Sequence, residues 1–385
     1  MNQDTLNTLL LITNSGGKKI DENLISSVEN WEELGRLAVE THLAPIVHKA
    51  IEDFDAVPKP SQNFLSNARN QVLIRNIRLY DAFKWLLKEL NARSIPIIPL
   101  KGIYAAEKIY GDISLRHLSD IDILVHTKHA SVICNLMKEA GWQVKEATAH
   151  SDMVEQELEA AHPFSFLKNG MVIELHTHLY NRKNGAQISS EDLWEYAHEE
   201  PFLGGTIQQF EKEFLLQHWC LHLHKHLVGR EVKMISFLDI HLLLEQQHDF
   251  DWKRFESLCK QYKCTQESLS VLWLCSRYWG IQLPEKYTFP DKELEAKFWG
   301  FLSQETRTPE RQAEFQLSSV LRRMGKLNGN RQKLIFLFRF VFPKQGFMRN
   351  RYNVAPHQSL ALWYIYRPFG LFQKLLVAAS SKLSR

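Results

Sequence analysis

The chain has 385 residues, of which 44% are hydrophobic and 24% charged, with a formal net charge of +3. This composition suits a globular chain of two or three domains and excludes disordered and collagen-like classes. The five cysteines (Cys134, Cys220, Cys259, Cys264 and Cys275) form no CxxC pair, no long apolar run occurs and no signal-peptide pattern opens the chain, so neither a zinc ribbon, a disulfide framework nor a membrane span is expected, and a cytoplasmic setting is.

Residues 1–92 read as helices. Trp31, Leu34, Leu37 and Ala38 share one helix face, and Pro45 ends that helix or opens the next. Pro58 and Pro60 break the chain, and Ser61 is expected to cap a long helix whose apolar face carries Phe64, Leu65, Val72, Ile77, Leu79, Phe83, Leu86, Leu87 and Leu90. The pattern then changes. Ile95 to Leu100 is short and apolar, and its prolines confine it to an edge or terminal strand ending at Lys101-Gly102. Residues 103–110 form a short helix, Ile121 to Val125 a buried strand, and Thr127 to about Ala140 a helix ended by Gly141. Pro163 to Lys168 and Met171 to Leu179 flank Asn169-Gly170, a strong hairpin signal. Beyond 205 helices return: Phe210 to Val228, Ile235 to Gln246, one opened by Asp251-Trp252, and Leu269 to Trp279 stopped by Gly280. The expected divisions are thus 1–92 helical, 93–204 α/β, 205–314 helical and 315–385 basic and aromatic-rich.

The sharpest chemistry lies in Ser119-Asp120-Ile121-Asp122-Ile123. Strand alternation puts Asp120 and Asp122 on one face and the isoleucines on the other. Two such carboxylates repel unless a cation sits between them. Glu174, flanked by Ile173 and Leu175, is expected to project from a neighbouring strand. Three carboxylates on two strands suit two divalent ions, Mg2+ or Mn2+, which clamp the attacking and leaving oxygens of a phosphoryl substitution. Taken alone, Asp-x-Asp also occurs as a solvated strand end.

In order, Leu100-Lys101-Gly102, Arg116, Asp120-Ile121-Asp122-Ile123-Leu124-Val125 and Glu174-Leu175-His176 resemble the bacterial uncharacterised nucleotidyltransferase family, within the DNA polymerase β-like superfamily. The likeness runs from about 25 to about 290. It implies an α+β fold, with a small mixed-sheet core flanked by N-terminal and C-terminal helical regions, the latter closing over the cleft. It implies that Asp120, Asp122 and Glu174 are the catalytic metal ligands, and that a nucleoside triphosphate such as ATP gives its monophosphate to an acceptor that the sequence does not identify. Lys101, Gly102, Arg116, Ser119 and His176 are then expected around the nucleotide. The chain departs from the wider superfamily at Lys101-Gly102, where Gly-Ser or Gly-Gly is usual. Lys101 stands in as a point charge and the Gly102 N–H faces the phosphates, or activity is lost and only nucleotide binding remains.

Other features leave alternatives open. Arg116 meets a phosphate or pairs with an acid. His176 and His178 follow Glu174 on its face, near the metals or as plain strand-end residues. His218, His222 and His226 share one helix face and hold a transition metal, line the cleft or simply pack. Asp239, in an apolar helix, needs a partner, for which Arg230 and Lys233 are candidates. From Phe315 onward there are 13 Lys or Arg and no acid, leaving the rest of the chain at −10. With its interleaved aromatics this region is a packed domain with a solvated basic face, a surface for an anionic membrane, or one for RNA.

Overall fold

Ile121, Ile123, Ile173 and Leu175 alternate with Asp122, Glu174 and His176, and this two-residue period sorts apolar from polar onto opposite faces of one sheet. A computed structural model describes residues 3–144, 164–179, 191–229, 233–246, 249–287, 290–302, 330–342, 345, 348 and 358–370. Its five-stranded sheet has the order β1-β2-β5-β4-β3. The strands are β1 (Ile98–Pro99), β2 (Ile121–Leu124), β3 (Gln143–Val144), β4 (Phe164–Lys168) and β5 (Met171–His176). β2 and β5 are parallel, and the other pairings are antiparallel. The fold is α+β, with a small mixed sheet among helices. As its prolines require, β1 is an edge strand. Asn169 and Gly170 take positive φ of 50° and 76° and close the β4–β5 hairpin. Pro163 lies outside the described residues.

The long helix α5 (Lys59–Asn91) packs its Leu79, Phe83, Leu86, Leu87 and Leu90 on the apolar face of the sheet, beside Ile133 and Met137 of α7 (Ala130–Glu139). Ser61 does not cap α5. The helix starts two residues earlier with Pro60 in its first turn, where a missing N–H costs nothing. Phe64 and Ile77 are 45% exposed, and the buried stripe instead takes in Asn76 and Tyr80. Before α5 come α1 (Gln3–Asn14), α2 (Glu22–Ser26), α3 (Trp31–Glu40) and α4 (Ala44–Ile51), and α6 (Gly102–Tyr104) runs on as a π-turn over Ala105–Ile109.

One element departs from the sequence reading. Phe210 does not begin a helix. It ends a second hairpin of β6 (Ala197–Phe202) and β7 (Gly205–Phe210), turned at Leu203-Gly204 with φ of 50° and 83°. β6 and β7 form a separate two-stranded sheet, tied to the residue before β1 by the Gln208 N–H, which donates to the Ile97 carbonyl at 2.8 Å. Then follow α8 (Lys212–Gly229), α9 (Met234–Gln246), α10 (Trp252–Gln261, capped by Asp251), α11 (Thr265–Trp279, ended by Gly280 at φ 68°) and α12 (Lys292–Leu302). α1 packs on α9 and α11, so the helices before and after the sheet share one body. That first compact unit spans Met1–Lys145 and His150–Phe298. A second comprises Glu146–Ala149 and Trp299–Arg385 and contains α13 (Asn330–Val341) and a helix α14 over 361–370.

Candidate active site

The segment leading into β2 is fixed by α5. The Arg75 guanidinium donates to the Leu118 and Ser119 carbonyls, each at 2.6 Å. Asn76, fully buried, donates to the Ile113 and Arg116 carbonyls and accepts the Leu118 N–H. A loop with its backbone groups thus tied down leads directly into the strand that carries Asp122. Sequence reading missed both residues, because a polar residue inside a helical stripe gives no sign of what it clamps.

Asp122 and Glu174 are directly opposed across the parallel β2–β5 pair. One oxygen each from Asp122 and Glu174 and one nitrogen of His176 lie within 4.8 Å of one another. His176 Nε2 is 2.9 Å from Asp122 Oδ1 and 3.9 Å from Glu174 Oε2. The Ser165 hydroxyl on β4 donates to Glu174 Oε1 at 3.2 Å and orients that carboxylate. Asp120 lies outside this group and accepts a 2.8 Å hydrogen bond from the exposed Ser119 hydroxyl. Of the three predicted carboxylates, Asp122 and Glu174 stand together in this group, and His176 stands with them.

Lys101 sits on the same acid, with Nζ 2.9 Å from Asp122 Oδ2. Burial alone raises the pKa of Asp122, but Lys101 and His176 outweigh it and hold the carboxyl well below its ordinary range. Asp122 is therefore an anion at any physiological pH. Lys101 Nζ is also 2.9 Å from His222 Nε2 on α8, and His226 Nε2 follows at 3.2 Å from His222 Nε2. Burial and the Lys101 charge push His222 far below the usual imidazole value, and burial pushes His218 down to about 3. On this face of α8, His218 and His222 are thus neutral imidazoles, and His222 reaches Asp122 through Lys101. The Trp219 indole N–H donates to the Leu100 carbonyl at 3.0 Å and ties α8 to the end of β1.

Arg116 is committed elsewhere. Its Nε and Nη2 form a two-pronged pair with Asp239 of α9 at 2.8 and 2.6 Å, and the Tyr110 hydroxyl donates to Asp239 at 2.9 Å. Asp239 therefore takes its partners from the loop before β2 and from the end of the π-turn, rather than from Lys233; Arg230 lies outside the described residues. Gly102 fits against this pair. A Cβ there would come within 2.9 Å of both Arg116 Nη1 and Leu118 Cδ2, so only glycine lets the Lys101 loop approach.

A family model described as "Uncharacterised nucleotidyltransferase" matches residues 27–280. The chain belongs to this family. Neither curated proteins nor solved structures give a match. The nucleotidyltransferase match covers every residue of the site, from Arg75 to Asp239, and ends after α11. In this family member the donor set of two carboxylates and an imidazole fits a divalent cation.

Proposed function

We propose that this chain transfers a nucleoside monophosphate from a nucleoside triphosphate to a hydroxyl acceptor, releasing pyrophosphate. The observation that carries the reading is the opposition of Asp122 and Glu174 across adjacent parallel strands, with His176 completing three ligand atoms within 4.8 Å. Asp122, Glu174 and His176 would hold a divalent cation, with Asp120 adding its carboxylate beside them. When bound, such an ion supplies positive charge to the phosphate oxygens as negative charge builds up on them.

The chain's own groups account for the rest. Lys101 is a cation already held in the site by Asp122 and His222, and on a flexible stem it can turn to a phosphate oxygen. It takes over the task of the serine usual in the wider superfamily, with Gly102 giving the backbone room. Glu174, steadied by Ser165, is the base for the acceptor hydroxyl. His222 and His226 line the approach to Lys101 from α8. Arg116 acts by bracing the loop against Asp239, not by meeting phosphate.

A second reading, nucleotide binding without transfer, is favoured by one observation: Lys101 already neutralises Asp122. Incubation with each NTP labelled at the α-phosphate, Mg2+ or Mn2+, and a cell lysate separates the two. Transfer predicts a labelled acceptor that disappears with Asp122→Asn or Glu174→Gln. Bound label that never becomes covalent, with every NTP and both metals, favours binding alone.

A further inference from the structure

The second compact unit carries chemistry that the site does not use, and its main part, Trp299–Arg385, lies beyond the family match, which ends at 280. Its sequence from Phe315 onward has 13 Lys or Arg and no Asp or Glu. Its helices also leave apolar side chains in water. On and just after α13, Leu334, Phe338 and Phe342 are 67%, 65% and 41% exposed, and their four-residue spacing puts them on one stripe. On α14, Leu362, Ile365 and Phe369 are 77%, 62% and 69% exposed, at the three- and four-residue steps of a second stripe. These stripes are not the sides that form the unit's small core, where Met348 and Leu360 are buried with Trp363 and Tyr364 against them. The helices meet at Arg367, whose Nε donates to the Val341 carbonyl at 3.2 Å.

We propose that this unit seats the protein on an anionic lipid bilayer, with α13 and α14 lying in the interface, Leu334, Phe338, Leu362, Ile365 and Phe369 reaching the acyl chains and the unit's lysines and arginines reaching the headgroups. Three alternatives fit less well. Among the described residues no helix is long and apolar enough to cross a membrane, so the helices lie on it. Single-stranded RNA fits the charge, but Leu334, Leu362 and Ile365 have no π-face on which a base stacks. A second copy meeting through the same stripes brings two uncompensated positive surfaces together, which is unfavourable. A bilayer takes aliphatic and aromatic side chains alike, and its anionic headgroups match a sequence that from Phe315 onward is basic and without an acid.

The test is flotation of the full chain with phosphatidylglycerol–phosphatidylcholine vesicles, phosphatidylcholine vesicles, and poly(U) in parallel. Binding to the anionic vesicles is expected, with little to the neutral ones and a steep decline with added salt. Changing Leu334, Phe338, Leu362, Ile365 and Phe369 together to Ser should weaken it by at least about tenfold. Because these side chains already face solvent, far-UV circular dichroism should be unchanged. A second variant, Arg331→Glu with Lys333→Glu, should lose the preference for anionic lipid with the apolar stripes intact. Equal binding to neutral vesicles, undiminished binding by the serine variant, capture of poly(U) without vesicle binding, or a dimer abolished by the serine variant would each overturn the proposal.

Discussion

Asp239→Ala tests how the loop before β2 is held. Asp239 and Arg116 have side chains only 5% and 8% exposed, and the carboxylate takes two guanidinium bonds and the Tyr110 hydroxyl. Burial keeps Tyr110 a neutral phenol, its pKa far above the ordinary value, so it can only be a donor to this acid. Truncating the acid leaves a buried guanidinium without its hydrogen-bonded acid, with only the more distant Asp120 charge acting on it, which costs about 3–5 kcal/mol. The pair as a whole is worth much less, since replacing both members by apolar groups is often neutral. Urea unfolding followed by tryptophan fluorescence should therefore show a loss of about 3–5 kcal/mol for Asp239→Ala, and recovery of most of it in Arg116→Met with Asp239→Leu. A loss below about 1 kcal/mol, or a double variant no more stable than the single one, would refute the reasoning.

Other consequences follow from the same packing. Gly102→Ala should cost about 1–3 kcal/mol in the same unfolding experiment, because the new methyl group runs into Arg116 and Leu118 at 2.9 Å. Asn76→Ala should lower transfer by loosening the Asp120–Asp122 loop, and a wild-type rate would remove Asn76 from that role. His117 stacks on His42 with centroids 4.3 Å apart, and burial, followed by the charges of His42, Arg75, Arg116 and Lys233, lowers its pKa to about 4. The unfolded chain then binds the extra proton first. Stability is full above the unfolded value of about 6.5 and is lost as pH falls from there towards about 4. His117→Phe should flatten a plot of stability against pH across that window, and an unchanged slope would assign the effect to other groups. Lys101→Met should lower transfer and also destabilise the fold by about 1–3 kcal/mol, because the buried Asp122 carboxylate loses its nearest cation and keeps only His176; a stability within a few tenths of wild type would contradict the pairing.

The strand that carries Asp122 and the hairpin that carries Glu174 were legible because alternation and an Asn-Gly turn are local signals. What escaped was set at long range. β6 reads Ala-His-Glu-Glu-Pro-Phe, polar and without β-branched residues, and it is a strand because β7 pairs with it and β7 in turn reaches Ile97. Phe210 looked like the first apolar residue of a helix because strand and helix meet there with only Glu211 between them. The join of Arg116 to Asp239 spans 123 positions and leaves no trace in either neighbourhood. His176 was read as a neighbour of the metal site, yet alternation on β5 already put it on the face of Glu174. The missing step was the register of β5 on β2, which sets His176 against Leu124 and Glu174 against Asp122.

The most direct measurement is titration of Mn2+ into the protein with a non-hydrolysable NTP analogue, followed by electron paramagnetic resonance. Wild-type protein should bind the ion, and Asp122→Asn or Glu174→Gln should each weaken binding by at least about tenfold while far-UV circular dichroism shows each variant to be folded. Equal affinity in all three proteins would mean that these acids do not share a cation, and nucleotidyl transfer at this site would have to be abandoned.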